Sequence, residues 1–141
     1  MTLSERAGEG MVKEQRFVLL MDDDEQICTI GSLFLKNFGY EVECASDGKQ
    51  ALAAYSQAYA KGSPFCMVFL DLNIPGGMGG KETMEKLLAM NSSVRGVVTS
   101  GDSTDPVFVQ YHAHGFSGAL AKPFNLAEFK KVLERLADSP R

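Results

Sequence analysis

The sequence predicts a doubly wound α/β domain: five parallel strands in the order 2-1-3-4-5, alternating with five helices. Three observations carry this. Short, wholly apolar runs recur along the chain, as parallel strands buried on both faces require. Each run is followed by a stretch with apolar residues at helical spacing. Chemically capable polar residues stand where the runs end, which is where open α/β sheets bind ligands.

The first strand is Phe17-Val18-Leu19-Leu20-Met21. A helix follows with Ile27, Ile30, Phe34 and Phe38 on one face, stopped by Gly39. Tyr40 to Ala45 reads as the second strand. Asp47 opens the second helix, with Gln50 placed to complete a capping box and Leu52, Tyr55 and Tyr59 along its length. Phe65 to Leu70 forms the third strand, ending at Asp71. The loop Pro75-Gly76-Gly77-Met78-Gly79-Gly80 leads into a helix carrying Met84, Leu87 and Leu88, and its glycines read as a flexible turn. The fourth strand spans about Arg95 to Thr99. Asp105-Pro106 begins a helix expected to reach Gly115. Phe116 to Ala121 is the fifth strand. Asn125 caps the last helix, with Glu128 three residues on and Leu126, Phe129, Val132, Leu133 and Leu136 as its buried stripe.

At 141 residues the chain suits one core, and it shows neither an internal repeat nor a second domain. Residues 1–15 lack the apolar stretch of a signal peptide and read as a linker or disordered arm, leaving the domain over 16–138. No apolar run approaches the roughly 20 residues that span a bilayer, so no membrane contact is expected. A net charge of −4 argues against a broad nucleic-acid footprint, which needs a basic face. Cys28, Cys44 and Cys66 form no CxxC pair and are expected to be buried free thiols in a reducing cytoplasm. His112 and His114, two apart, would point to different faces of a helix and read as surface or partly buried residues, not a metal pair.

The chemistry gathers at the strand ends. Asp22 and Asp23 follow the first strand, Asp71 the third, Ser100 the fourth and Lys122 the fifth. With strands one and three adjacent, the three acids would share one pocket. Three neighbouring carboxylates repel one another unless a counter-charge is present. A hard divalent cation such as Mg²⁺ supplies it, using one or two carboxylates and keeping several waters. A carboxylate nucleophile, a metal, a lysine and a hydroxyl are the parts that phosphoryl transfer to a carboxylate needs. Taken singly, each has a plainer reading: a solvated helix start for Asp22 to Glu25, a turn for Asp71, a surface position for Lys122.

The ordered set VLLMDDDE, MVFLDLNIP, Ser100-Gly101 and Lys122-Pro123-Phe124 resembles the receiver domains of two-component systems, whose fold is that of the chemotaxis response regulator and is flavodoxin-like. The resemblance runs from about Arg16 to Ala137. It implies that Asp71 becomes an aspartyl phosphate. It also implies that Mg²⁺, or Mn²⁺ in its place, is held by Asp23, Asp71 and the Asn73 carbonyl, with Asp22 acting through water. Lys122 and Ser100 would bind phosphoryl oxygens, Asp102 would tune phosphoryl lifetime, and the Lys122–Pro123 peptide would be cis. Partners would be a sensor histidine kinase or a histidine phosphotransfer domain, in the cytoplasm. Two departures stand out. The PGGMGG loop is like a variant of hybrid sensor kinases, and Ala119 replaces the usual aromatic switch three residues before Lys122. The second weakens the expected output at the face of helix four, strand five and helix five, which favours a relay.

The rivals differ in kind. One is a conventional stand-alone regulator that acts by protein contact. Another is an aspartate-nucleophile phosphatase, but Asn73 stands where that enzyme needs a second, proton-shuttling acid. An ATP loop fails because Pro75 and Glu82 occupy positions that need Gly and Ser or Thr. An FMN phosphate would meet the acids after strand one, and a pure scaffold has no need of a metal.

Overall fold

The structure, a computed structural model, describes residues 16–138. The expected arm over 1–15 lies outside the described residues. Five parallel strands form one sheet in the order β2-β1-β3-β4-β5: β1 (Phe17–Met21), β2 (Glu41–Ala45), β3 (Met67–Asp71), β4 (Gly96–Ser100) and β5 (Gly118–Ala121). The helices are α1 (Glu25–Asn37), α2 (Gly48–Ala60), α3 (Gly80–Met90), α4 (Pro106–Val109, continued by a 3₁₀ turn at Tyr111–His114) and α5 (Leu126–Asp138). The predicted order and alternation are present.

Strand alternation divides the core in two. Val18, Leu20, Met67, Phe69, Val97 and Leu120 face α1 and α5, where Leu35, Phe129 and Leu133 meet them. Leu19, Met21, Val68, Leu70 and Val98 face the opposite side, where Tyr55, Met84 and Leu87 pack. Phe129 anchors the first layer: it stacks on Phe69 at 5.3 Å and takes Phe34 and Phe124 edge-on at 5.7 and 5.2 Å. Such buried aromatic contacts contribute beyond their area.

Several boundaries depart from the expectations, each for a packing reason. Phe65 and Phe116 are buried but precede their ladders. Phe65 stacks on Phe17 at 4.4 Å instead of pairing, and an apolar run does not distinguish these roles. Ile30, Tyr59 and Leu126 are exposed, so α1, α2 and α5 present narrower stripes than expected; Gly31 and Leu35 are the buried residues of α1. The fourth helix breaks after one turn, where Gln110 leaves helical geometry. Val107 and Val109 are weak helix formers, and Gly115 then closes the 3₁₀ turn at φ 86°. The cysteines are not the buried thiols expected: Cys44 is exposed on the edge strand β2, and Cys28 and Cys66 are only half-buried. The Asp47 side chain accepts the Gln50 N–H at 2.9 Å, while Gln50 returns a bond to Ser46, one residue before the cap.

The glycine-rich loop is set by space more than by flexibility. Gly76 takes φ 77°, a conformation that other residues rarely adopt. A Cβ on Gly79 would lie 2.5 Å from the Leu72 carbonyl oxygen, and one on Gly80 2.9 Å from that of Asp71. Helix α3 therefore starts directly against the backbone that carries Asp71.

Candidate functional site

Each site residue is placed by the end of a strand. Asp22 continues β1, and its N–H bonds to the Ala45 carbonyl of β2 at 3.0 Å. Asp71 is the last residue of β3, paired in register with Thr99 of β4. Ser100 closes β4, and the Lys122 N–H bonds its carbonyl at 2.8 Å, which fixes the lysine just beyond β5. Asp24 and Asp105 cap α1 and α4, accepting the N–H groups of Gln26 and Val107 at 2.9 Å each. These residues border a cleft of about 560 Å³ at the carboxyl edge of the sheet.

The geometry is specific. One carboxylate oxygen each from Asp22, Asp23 and Asp71 lies within 4.8 Å of the other two, the only such acid, His or Cys group among the described residues. Asp22 and Asp71 are buried, and Asp23 is exposed. Lys122 Nζ bridges the two buried acids, 2.9 Å from Asp22 Oδ2 and 3.0 Å from Asp71 Oδ2. The other oxygens of those acids are taken by backbone: Asp24 donates to Asp22 Oδ1 at 2.9 Å, and Asn73 donates to Asp71 Oδ1 at 3.2 Å. Burial raises the Asp71 pKa, and the Asp22 charge adds to it, against the opposing pull of Lys122 and the Asn73 N–H. Burial opposes the charge on Lys122, yet its bonds to Asp22 and Asp71 win and hold its pKa above the ordinary value.

Three carboxylates against one ammonium leave two negative charges, which is the charge of one divalent cation. An all-oxygen donor set of this kind fits Mg²⁺ or Mn²⁺. Every site residue named from the sequence therefore reaches this edge. Ser100 is turned aside: its hydroxyl accepts the Asp102 N–H at 3.0 Å and donates to the Asp102 carbonyl at 3.2 Å. Asp102 in turn is bonded by Thr104, which lowers its carboxyl pKa. The peptide between Lys122 and Pro123 is cis, as the resemblance implied. His112 is exposed and His114 half-buried, away from the acids' cluster. The Thr99 hydroxyl, paired in register with Asp71, is buried with no hydrogen-bond partner, and Thr99 is not among the residues lining the cleft.

Known proteins agree with this arrangement. The family model of the response regulator receiver domain matches residues 18–134. The transcriptional regulatory protein ZraR of Klebsiella oxytoca is 29% identical over 136 residues, covering 92% of this chain; the chain spans only 29% of that regulator's length. Chemotaxis protein CheY4 of Vibrio cholerae superposes with a TM-score of 0.76 at 30% identity, covering 86% of this chain and 98% of CheY4. The receiver domain of sensor histidine kinase PA1611 from Pseudomonas aeruginosa, solved with a magnesium ion coordinated in its active-site cleft, matches with a TM-score of 0.76 at 22% identity, covering 89% and 99%. With its fold, its strand-end acids and a family match across most of its length, the chain belongs to the response regulator receiver domains of two-component signalling.

Proposed function

We propose that the domain over 16–138 is a phosphoacceptor whose Asp71 takes a phosphoryl group from a histidine of a sensor kinase or phosphotransfer domain. The observation that carries this is the convergence of Asp22, Asp23 and Asp71 on one point, with Lys122 bridging the buried pair. An Asp71 carboxylate oxygen attacks phosphorus as the phosphorus–nitrogen bond of the phosphohistidine breaks, and imidazole leaves with the bonding pair. Lys122, already between two acids, is placed to exchange one carboxylate for a phosphoryl oxygen. Ser100 reaches another by leaving the Asp102 turn. Mg²⁺, or Mn²⁺ in its stead, held by Asp23, Asp71 and the Asn73 carbonyl with Asp22 behind, would neutralise the equatorial oxygens of the transferred group.

Asn73 keeps this a signal, because an amide does not shuttle the proton that rapid hydrolysis needs. We place the domain in a phosphorelay, within or beside a hybrid sensor kinase, on the strength of the PGGMGG loop and Ala119. The reading includes a cytoplasmic location, and no nucleic-acid or membrane contact by this domain. No helix among the described residues is long and apolar enough to cross a membrane. Incubation with acetyl phosphate and Mg²⁺ should add one phosphoryl group by intact mass, and Asp71→Asn should abolish it. Equal labelling of both proteins would overturn the assignment.

A further inference from the structure

Beside the acid cluster lies a second group of reactive side chains that the phosphoryl chemistry does not use. Cys44 pairs in register with Leu20 on β1, so its side chain lies on the face that α1 covers. Cys28 and Ser32 stand one turn apart on α1, facing it. Ser32 Oγ is 3.5 Å from Cys44 Sγ, and Cys28, one turn before Ser32, lines the same cleft as Cys44. Cys28 also donates to the Asp22 carbonyl at 3.5 Å. Cys28 and Cys44 both line an open cleft of about 440 Å³, which Asp22 and Asp23 line as well. Cys44 is exposed and Cys28 half-buried, so an oxidant in solvent meets Cys44 first.

We propose that Cys28 and Cys44 form a redox-modifiable pair, which a peroxide closes to a disulfide tying the first turns of α1 to β2 behind Asp22. The chemistry balances. The Cys44 sulfur attacks one peroxide oxygen, the O–O bond breaks, and a sulfenic acid and one water result. The Cys28 sulfur then attacks the Cys44 sulfur. The S–O bond breaks, and hydroxide leaves as water with the Cys28 proton. Two thiols lose two electrons and two hydrogens, and hydrogen peroxide becomes two waters. Reversible pairs of this kind are the form disulfides take in reducing compartments. Cys66 takes no part: its N–H bonds the Phe17 carbonyl at 2.8 Å, at the amino end of the sheet.

Closing the pair removes the sulfur donor from the Asp22 carbonyl and holds α1 against β2 where the loop carrying Asp23 begins. Labelling of Asp71 by acetyl phosphate should then slow several-fold. This consequence rests on the acceptor reading of Asp71, whereas the disulfide does not. The test treats the full chain with hydrogen peroxide, alkylates remaining thiols and maps them by mass. The expected result is loss of two hydrogens, one alkylated thiol at Cys66, and full reversal by dithiothreitol. Cys66→Ala should still close, while Cys28→Ser and Cys44→Ser should not. Alkylation of all three thiols after peroxide, or sulfinic acid at Cys44 with Cys28 still alkylated, would overturn the proposal. An unchanged labelling rate in the mapped disulfide form would overturn the link to the acid site. Failure of the reduced protein to label would count against the acceptor reading alone, since the thiol map decides the disulfide separately.

Discussion

Replacing Lys122 with methionine keeps the length and apolar stem of the side chain and removes its charge. Asp22 and Asp71, whose side chains are 1% and 2% exposed, would then face each other with no cation between them. Removing one partner of a buried ion pair costs about 3–5 kcal/mol. The lysine side chain is 17% exposed, which puts the expectation at the lower end, about 3 kcal/mol. For a domain of this size that is a Tm lower by about 10 °C. The pH dependence has a definite sign. The raised Lys122 pKa means a stabilisation fully present below the unfolded lysine value and lost only as pH rises through the folded one, so it is intact at neutrality. The raised Asp71 pKa means the folded state holds that proton more tightly, so its ionisation costs stability as pH climbs from the unfolded carboxylate value through the folded one. Without Lys122 the bonds that restrain this rise are gone. The deficit of Lys122→Met should therefore be large at about pH 7.5 and much smaller at about pH 4. Adding Asp71→Asn should recover part of it, a coupling that a double-mutant cycle measures. Thermal melts of the four proteins at both pH values decide the matter. A Tm within about 2 °C of wild type, or the same deficit at both pH values, would refute the reasoning.

Three further outcomes follow from the same geometry. Asp23→Asn, at an exposed position, should leave the metal-free Tm nearly unchanged, within about 0.5 kcal/mol, while reducing the rise that Mg²⁺ or Mn²⁺ produces; an unaltered metal-induced rise would move the metal elsewhere. Gly80→Ala should destabilise by about 1–3 kcal/mol and slow Asp71 labelling, because the new Cβ meets the Asp71 and Leu70 carbonyls at 2.9 and 3.0 Å; wild-type melting and labelling would show that α3 can back away. Beryllofluoride with Mg²⁺ should shift amide NMR signals over Ser100 to Asp105 as strongly as beside Asp71, and less over Ala119 to Phe129. Equal shifts across both segments would count against a relay.

Much of the site was legible because its residues sit at strand ends, where a short run and its terminus are read together. Asp22, Asp71 and Lys122 follow apolar runs directly; β1 and β3 pair side by side, and the long Lys122 side chain reaches both acids from the end of β5, at 2.9 and 3.0 Å. What escaped the sequence depends on which face a residue turns. Cys44 lies in a run that reads as strand, but β2 is the edge strand, and Glu41 and Glu43 mark it as solvated. Ile30 fits the helical period, yet Leu35 and Gly31 define the buried side of α1. The loop glycines read as a flexible turn because sequence does not report the carbonyls of Asp71 and Leu72 lying behind Gly80 and Gly79.

Ala119 and α4 pull the question of output in opposite directions. A helix with no fully buried residue, broken after one turn, is cheap to move. Cheapness alone shifts nothing; a ligand moves an equilibrium only by contacts that differ between the two states. Ala119 has no rotamer to exchange, so it offers no such contact. In the proposed function Ser100 does, because its hydroxyl is committed to the backbone of Asp102 and would have to abandon it to meet a phosphoryl oxygen. Asp102 is bonded to Thr104, and the Asp105 N–H to the Asp102 carbonyl at 3.2 Å, while Asp105 caps α4. The change therefore enters α4 from its amino end, through a chain of turn bonds each contributing about 1 kcal/mol. That is enough to loosen a cap and too little to repack the β5 face, which is what the proposed relay requires.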